Sequence, residues 1–357
     1  MNYLKIFKNK KILITGHTGF KGSWLTICLK LFGAKILGIS KNFTSNPSHY
    51  KICTELKNVR SFKFDIKDFK KFKKTVNNFK PDFIFHLAAQ ALVKKSLDRP
   101  IETWSSNTIG TLNLLEILRH YKKKVNVIII TSDKVYYNVE KKGAYKEMDR
   151  LGGKDPYSAS KAGAEIAIKS YYESYLKISK NISFAVARAG NVIGGGDWSK
   201  DRLIPDCVRA WSKNKPVNIR NLSSTRPWQH VLEVINGYLA LAICLSKKKQ
   251  KINGETFNFG PSTKKNYKVE DCLKEIQKNW PKTNWKKEKN KNKFKEAGLL
   301  KLDSKKALKF LNWKTRLSFN ETIKYTAEWY KNFYKHKPEI ITVKQIKDYF
   351  KKMNIVL

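Results

Sequence analysis

The chain has 357 residues, room for one or two domains around a large core. Its 41% hydrophobic and 12% aromatic content argues against long disorder. The formal charge of +44 comes from 63 Lys and ten Arg set against 29 acids, with the lysines scattered along the whole chain. Scattered lysine reads as a compositional bias and not as a nucleic-acid surface, because Lys without Arg is poor at base readout. Such a field still draws in anionic substrates. The five cysteines, Cys28, Cys53, Cys207, Cys244 and Cys272, are odd in number and widely spaced. They form neither a metal-ligand pattern nor a disulfide framework. No signal-peptide run opens the chain and no window reaches about 18 apolar residues, so a reduced, cytoplasmic protein with no metal and no membrane partner is expected.

Strand and helix signals then alternate. The run "KILITG" leads into "FKGSWLTICLKLFGA", which has helical spacing, and "KILGIS" is a second strand. "VRSFKFDI" alternates as a strand, "DFKKFKKTVNNF" reads as a surface helix, and "PDFIFHLAA" is an apolar run ending in small residues. A long helix over about 101–121, the strand "VNVIIITS", a helix over about 157–178 and the strand "ISFAVARAGNVIG" complete the series. This alternation predicts an α/β fold: a Rossmann-type, doubly wound parallel sheet covered on both faces. The dinucleotide-binding domain is expected over 1–194. A smaller C-terminal substrate-binding domain is expected over 195–345, with "GETFNFGP" as a strand and some chain returning to the core. The segment "NWPKTNWKKEKNKNKFKEAG" reads as a solvated loop, and 346–357 as a basic tail after a mildly amphipathic helix.

The first strand runs into Gly16-His17-Thr18-Gly19-Phe20-Lys21-Gly22. A glycine is needed first for a tight turn, then for close approach to a pyrophosphate, then for packing of the helix on the sheet. The helix N-terminus then faces the phosphates. The second strand ends Ser40-Lys41 with no carboxylate to hold a ribose, and Lys41 suits a 2′-phosphate, so NAD and NADP both stay open here. Asp65 and Ile66 at the third strand end are placed to reach the adenine, and Leu87, Ala88 and Ala89 close the fourth strand beside the cofactor.

Tyr157 and Lys161 lie four residues apart at the start of a helix and share one face. A free phenol titrates near pH 10, and an adjacent ammonium favours its ionised form. The pair can take a proton from an alcohol while hydride leaves its carbon. Ser132, 25 residues earlier at a strand end, can steady the same hydroxyl. Asp133 and Lys134 follow it directly, an acid and a base where chemistry is expected.

The chain resembles the extended short-chain dehydrogenase/reductases, and within them the nucleotide-sugar 4,6-dehydratases. The resemblance is carried by "GHTGFKGSWL", "HLAAQALVKKS", "TSDKVYYN", "YSASKAGAE", "ARAGNVIGGGDWSKDRLIPD", "RPWQHVLE" and "LKLDSKKALKFLNWK", over roughly residues 8 to 345. It implies NAD as cofactor and a nucleotide sugar as substrate. It implies that Tyr157 takes the 4-hydroxyl proton, that Asp133 protonates the departing 6-hydroxyl, and that Lys134 is the candidate base at carbon 5. For that, Lys134 needs its pKa lowered by about three units, or about 4 kcal/mol; otherwise it holds Asp133 as an ion pair. Relatives acting on dTDP-glucose carry Glu there, so Lys134 favours a CDP-sugar branch.

The same resemblance puts Gln90, Lys94, Asn191, Arg202, Arg226 and Asn258 at the substrate, with Arg226 on the diphosphate. Ala91 and Lys94 depart from the family's "QPLVR" pattern. His86 reads as structural, His17 as a loop residue, and His230 as lining the pocket. The helices near 101–121 and 157–178 are the family's usual dimer-forming pair. Alternatives are a dehydratase for another nucleotide sugar, a 4-epimerase, for which Asp133-Lys134 has no use, and a nucleic-acid-binding relative, which has no use for Ser132, Tyr157 and Lys161 together.

Overall fold

The computed structural model describes residues 3–247, 249–262, 266–280, 283–287, 299–335 and 338–357. Seven short runs, six of them mainly apolar and the edge strand β3 exposed throughout, pair into one parallel sheet: β1 (Lys11–Thr15), β2 (Lys35–Ser40), β3 (Arg60–Lys63), β4 (Phe83–His86), β5 (Val125–Ile130), β6 (Ile182–Ala189) and β7 (Thr256–Phe259). Their order is β7-β6-β5-β4-β1-β2-β3, so the winding reverses between β1 and β4. A crevice opens at the carboxyl ends of the strands where the order reverses. The register puts Thr15 opposite Ile39 on one side and His86 on the other. The glycine loop and the Leu87–Ala89 turn therefore leave the sheet side by side.

Both faces of the sheet are covered, which is why its central strands are apolar at every position and not merely at alternate ones. The helices are α1 (Phe20–Leu31), α2 (Phe69–Phe79), α3 (Gly110–Arg119), α4 (Pro156–Tyr171), α5 (Leu203–Trp211), α6 (Val231–Lys247), α7 (Val269–Asn279), α8 (Phe319–Lys335) and α9 (Pro338–Lys351). On one face Ile12, Ile14, Phe85 and Ile128 pack with Trp24 and Leu25 of α1 and Leu239 of α6. On the other, Leu13, Ile84, Val127 and Ile129 pack with Val76 of α2, Leu114 of α3 and Ile168 of α4.

The two long predicted helices are present, each with a local widening. Pro100–Trp104 continues through a π turn, Ser105–Ile109, into α3, and α4 continues into a second π turn, Tyr172–Leu176. The two helices lie side by side, with Thr108 Oγ1 donating to the Ser160 carbonyl at 2.9 Å.

Beyond Gly194 the chain divides between the core and short ladders. α6 and β7 rejoin the core, while short ladders lie over the strand ends: Val192–Ile193 with Gln229–His230, Thr225–Arg226 with Tyr267–Lys268, and Val217–Ile219 with Trp285–Lys287. The charge-dense stretch expected to be a solvated loop falls largely at 288–298, outside the described residues. The expected tail from 346 begins inside α9, whose Ile346, Tyr349 and Phe350 are fully buried. Phe350 meets Phe32 edge-on at 5.2 Å, and Tyr349 donates to Glu233 Oε2 at 2.7 Å.

Candidate active site

The phosphate loop has the geometry its glycines predict. Gly16 takes φ +76°, and a Cβ there would lie 2.8 Å from the Ala88 nitrogen; a Cβ on Gly22 would lie 2.1 Å from the Gly16 carbonyl oxygen. Gly19 caps α1 without a side chain, so the first N–H groups of this twelve-residue helix face the crevice uncapped. Backbone donors, a helix dipole and a cradle that any Cβ would fill suit a dinucleotide pyrophosphate.

Other residues around the loop also brace the cradle. The Thr18 N–H donates to Ser40 Oγ at 3.3 Å and its hydroxyl to the Asn42 carbonyl at 2.9 Å. Phe20 lies against Gly194. Leu87 N–H and Ala88 N–H donate to the Thr15 carbonyl and hydroxyl. Ala89 is half-buried and Ile66 is buried beside Gly110. Asp65 forms an ion pair with Lys41 at 3.1 Å and with Lys67 at 3.7 Å. His17 is not a mere loop residue. Its fully buried ring bridges Ser40 Oγ at 2.9 Å and Ser61 Oγ at 2.7 Å, and burial lowers its pKa to about 4.

At the end of β5 the chain makes one 3₁₀ turn, Asp133–Val135, capped by Ser132, whose Oγ accepts the Lys134 N–H at 3.3 Å. The same hydroxyl donates to Asp133 Oδ1 at 3.0 Å and acts on the Tyr157 phenol, whose pKa it lowers. Asp155 caps α4 by accepting the Ser158 N–H at 3.0 Å, and Pro156 occupies its first turn. That start fixes Tyr157 and Lys161 on one buried face. Burial pushes the Tyr157 phenol above its ordinary value; the Ser132 bond and Arg202 oppose this, while Asp133 adds to it. Lys161 donates to the Ile130 carbonyl at 3.3 Å, and burial, then the charge of Lys21, pull it down to about 8 against the pull of Glu165. Asp133 is buried at 3% exposure. Lys134 is half-buried, and among the described residues its ammonium makes no ion pair.

The substrate candidates divide. Arg202 donates from Nη1 to Asp197 Oδ2 at 2.7 Å, and its charge reaches Tyr157. Asn191 takes the left-handed φ of +44°, and its carbonyl accepts the Gln229 N–H at 3.3 Å. Arg226 lines a cavity of about 380 Å³ with Trp228, Tyr267, Leu302, Arg316 and Phe319. No catalytic candidate lines this cavity. Its wall at Arg226–Trp228 leads directly into Gln229–His230, which pairs with Val192–Ile193. Tyr267 and Phe319 stack at 3.7 Å and 5°, and Arg316 Nε is buried without a hydrogen-bond partner. Sequence reasoning missed these three residues, since none belongs to a local motif.

Four expectations are corrected. The Asn258 side chain is fully buried, accepting from Tyr136 Oη at 2.7 Å and donating to the Tyr145 carbonyl at 2.9 Å, so it braces the site from below. Gln90 Nε2 donates to the Leu92 carbonyl and Thr103 Oγ1, and its Oε1 accepts the Leu92 N–H, which leaves little for a sugar. Lys94 pairs with Asp201 at 3.1 Å in an exposed position. His230 is fully buried; its Nδ1 accepts the Leu232 N–H at 3.3 Å in the first turn of α6, so it does not line the pocket. His86, bridging Thr15 and Thr111, is structural.

Comparison with known proteins agrees with this geometry. The chain is 40% identical over 349 residues to CDP-glucose 4,6-dehydratase of Salmonella typhimurium, which covers 96% of this chain and 97% of the relative. An epimerase structure from Methanothermobacter thermautotrophicus superposes with a TM-score of 0.80 at 24% identity, covering 95% of this chain and 96% of that one. The structure of dTDP-glucose 4,6-dehydratase from Bacillus anthracis, in complex with NAD, superposes with a TM-score of 0.73 at 22% identity over 90% of this chain and 97% of that one. The family model described as GDP-mannose 4,6 dehydratase matches residues 13–326, and the chain belongs to that family.

Proposed function

We propose that the chain is a CDP-glucose 4,6-dehydratase that forms CDP-4-keto-6-deoxyglucose, a precursor of the deoxysugars of surface polysaccharides. The observation that carries this reading is Asp133, a buried carboxyl hydrogen-bonded to Ser132 beside Tyr157. Oxidation alone needs only Ser132, Tyr157 and Lys161; loss of water also needs a proton donor at the leaving hydroxyl. The 40% identity to a CDP-glucose enzyme over nearly the full length supports the nucleotide.

NAD is the cofactor of this reading. Gly16, Gly19, Gly22 and the start of α1 would hold its pyrophosphate, and Asp65 its adenosine side. The ion pairing of Lys41 with Asp65 disfavours a 2′-phosphate. When bound, NAD+ takes hydride from sugar carbon 4 and returns it at carbon 6. Tyr157, whose pKa burial raises and the Ser132 contact and Arg202 charge lower, removes the 4-hydroxyl proton. The ketone then acidifies the proton on carbon 5, and Asp133 protonates the departing 6-hydroxyl. Arg226 and Arg316 are assigned to the diphosphate and the cavity beside them to the cytidine.

The same reading covers the wider organisation. Residues 1–194 form the cofactor domain, and much of 195–345 forms the substrate domain. Two copies join through the helices at 100–119 and 156–176, which expose Ile101, Trp104, Ile109 and Ile166. Five buried cysteines, none of them in a disulfide, suit a reducing cytoplasm; no helix among the described residues is long and apolar enough to cross a membrane.

The test is incubation with CDP-, dTDP-, GDP- and UDP-glucose plus NAD+. CDP-glucose should yield the 4-keto-6-deoxy product fastest, with deuterium from carbon 4 recovered in the new methyl group. Preference for another nucleotide, or loss of the label to solvent, overturns the reading.

A further inference from the structure

A second cavity, of about 530 Å³, opens between the edge strand β3 and α2. Two periodicities build its walls. Alternation puts Arg60, Phe62 and Phe64 on one side of the β3 segment, the side on which Phe64 packs with α2. On α2, Lys71, Lys74, Thr75 and Asn78 recur at helical spacing along the facing stripe. Five lining side chains are cations, Lys11, Arg60, Lys63, Lys71 and Lys74, and none is a carboxylate. Among the described residues Arg60, Lys63 and Lys74 make no ion pair, while Lys71 meets Asp68 at 3.3 Å. In a chain of this charge, cations alone mark nothing. What marks this place is their convergence on an aromatic floor. Phe62 is 37% exposed, and Phe64 and Phe79 are half-buried beside it. The Arg60 guanidinium lies over the Phe62 ring at 5.3 Å and the Lys11 ammonium over the Phe79 ring at 6.0 Å.

We propose that this groove binds a nucleoside polyphosphate, at a site separate from the cofactor crevice and from the Arg226 cavity. It shares no lining residue with that cavity, and none of its residues is assigned above to cofactor or sugar nucleotide. The occupant follows from the walls. Arg60 and Lys11 are already drawn over rings, which leaves Lys63, Lys71 and Lys74 to meet a compact polyanion. The Arg60–Phe62 pair offers a flat surface on which any base stacks. The volume lies within the range of small-molecule sites. A second copy of the chain does not suit the groove. β3 ends the sheet, and pairing two such edges antiparallel would bring Arg60 and Lys63 of the two copies together. Binding here is a reversible association in which no bond is made or broken, and it is independent of the dehydratase reading.

The test is equilibrium dialysis of the full chain with radiolabelled ATP, in saturating NAD+ and CDP so that the crevice is filled. The wild type is compared with Lys71→Glu/Lys74→Glu and with Phe62→Ala. All three substituted side chains are exposed, so both variants should keep the wild-type melting temperature, and Phe62→Ala carries the test if the double variant does not fold. Only ATP binding that the variants lose is assigned to the groove. The wild type should bind one such ATP per chain. The double variant should weaken it at least about tenfold, and Phe62→Ala about fivefold or more. Inorganic triphosphate should bind more weakly than ATP and be indifferent to Phe62→Ala. Turnover of sugar nucleotide should be the same in all three proteins. Equal ATP binding in wild type and variants overturns the proposal. Triphosphate binding as tightly as ATP reduces the groove to an anion patch and overturns it too. So does a short oligoadenylate that binds tighter than ATP and loses that affinity in the double variant, which makes the groove a track for single strands.

Discussion

Asp133 and Gly190 are in direct contact: a Cβ built on Gly190 would lie 1.8 Å from Asp133 Oδ2. Gly190 follows the last residue of β6, and its missing side chain is what lets the carboxyl fit below the site. Gly190→Ala should displace Asp133 by an ångström or more, since both groups are buried. A shift of that size costs about 100-fold in rate. Water loss should fall by that factor while reduced nicotinamide still forms on mixing with CDP-glucose. Equal loss of both half-reactions would place the damage at Tyr157 instead.

Asp133→Asn keeps the shape and the Ser132 contact but removes the transferable proton. Oxidation at carbon 4 should survive, and dehydration should fall by about 100-fold or more. Rapid-mixing absorbance reads the first step, and sugar analysis after quenching reads the second. Dehydration at the normal rate would remove Asp133 from the acid role.

Features encoded by neighbours in sequence were legible from the sequence. The glycine loop lies between a strand and a helix, and Tyr157 and Lys161 are one helical turn apart. Whether a polar side chain is free was not legible. Asn258 looks available at the end of β7, yet its amide meets the Tyr145 carbonyl 113 residues away. His230 looked like a pocket residue and caps α6 inside the core. The stack of Tyr267 on Phe319 joins two segments of unrelated pattern.

Among the described residues four histidines are buried and neutral. Burial lowers His17 to about 4 and His49, His86 and His230 to about 3; for His86 the charge of Lys161 adds to the effect. The unfolded chain binds protons at these residues near pH 6.5, while the folded chain does not. The unfolded state therefore holds more protons below pH 6.5, and stability falls as pH falls from 6.5 toward 4. Glu233, raised by burial to about 7, acts in the opposite sense, but it is one group against four. Each histidine contributes on the order of 3–5 kcal/mol when fully expressed, so unfolding should be complete well above pH 4. Melting temperature should drop steeply between pH 6.5 and 5, and a flat profile there would contradict the buried, neutral assignment.

Arg188 and Glu165 form a buried pair beneath the catalytic turn, at 3% and 5% exposure. Arg188 Nε donates to both Glu165 oxygens at 2.8 and 3.0 Å, and its Nη1 donates to Tyr136 Oη at 2.7 Å and the Glu147 carbonyl at 3.0 Å. Glu165 also accepts from Thr131 Oγ1 at 2.6 Å, one residue before Ser132. Breaking such a pair on one side strands a buried charge and costs about 3–5 kcal/mol, whereas removing both charges costs much less. Arg188→Met should therefore destabilise the protein by about that amount in denaturant unfolding, and the Arg188→Met/Glu165→Leu double variant should recover part of it. Because Thr131 leads into Ser132, the single variant should also lower kcat more than it raises KM. A single variant within about 1 kcal/mol of wild type would mean that Glu165 finds another partner or a proton, and the turn would then owe its position to the Asn258 and Tyr136 bonds alone.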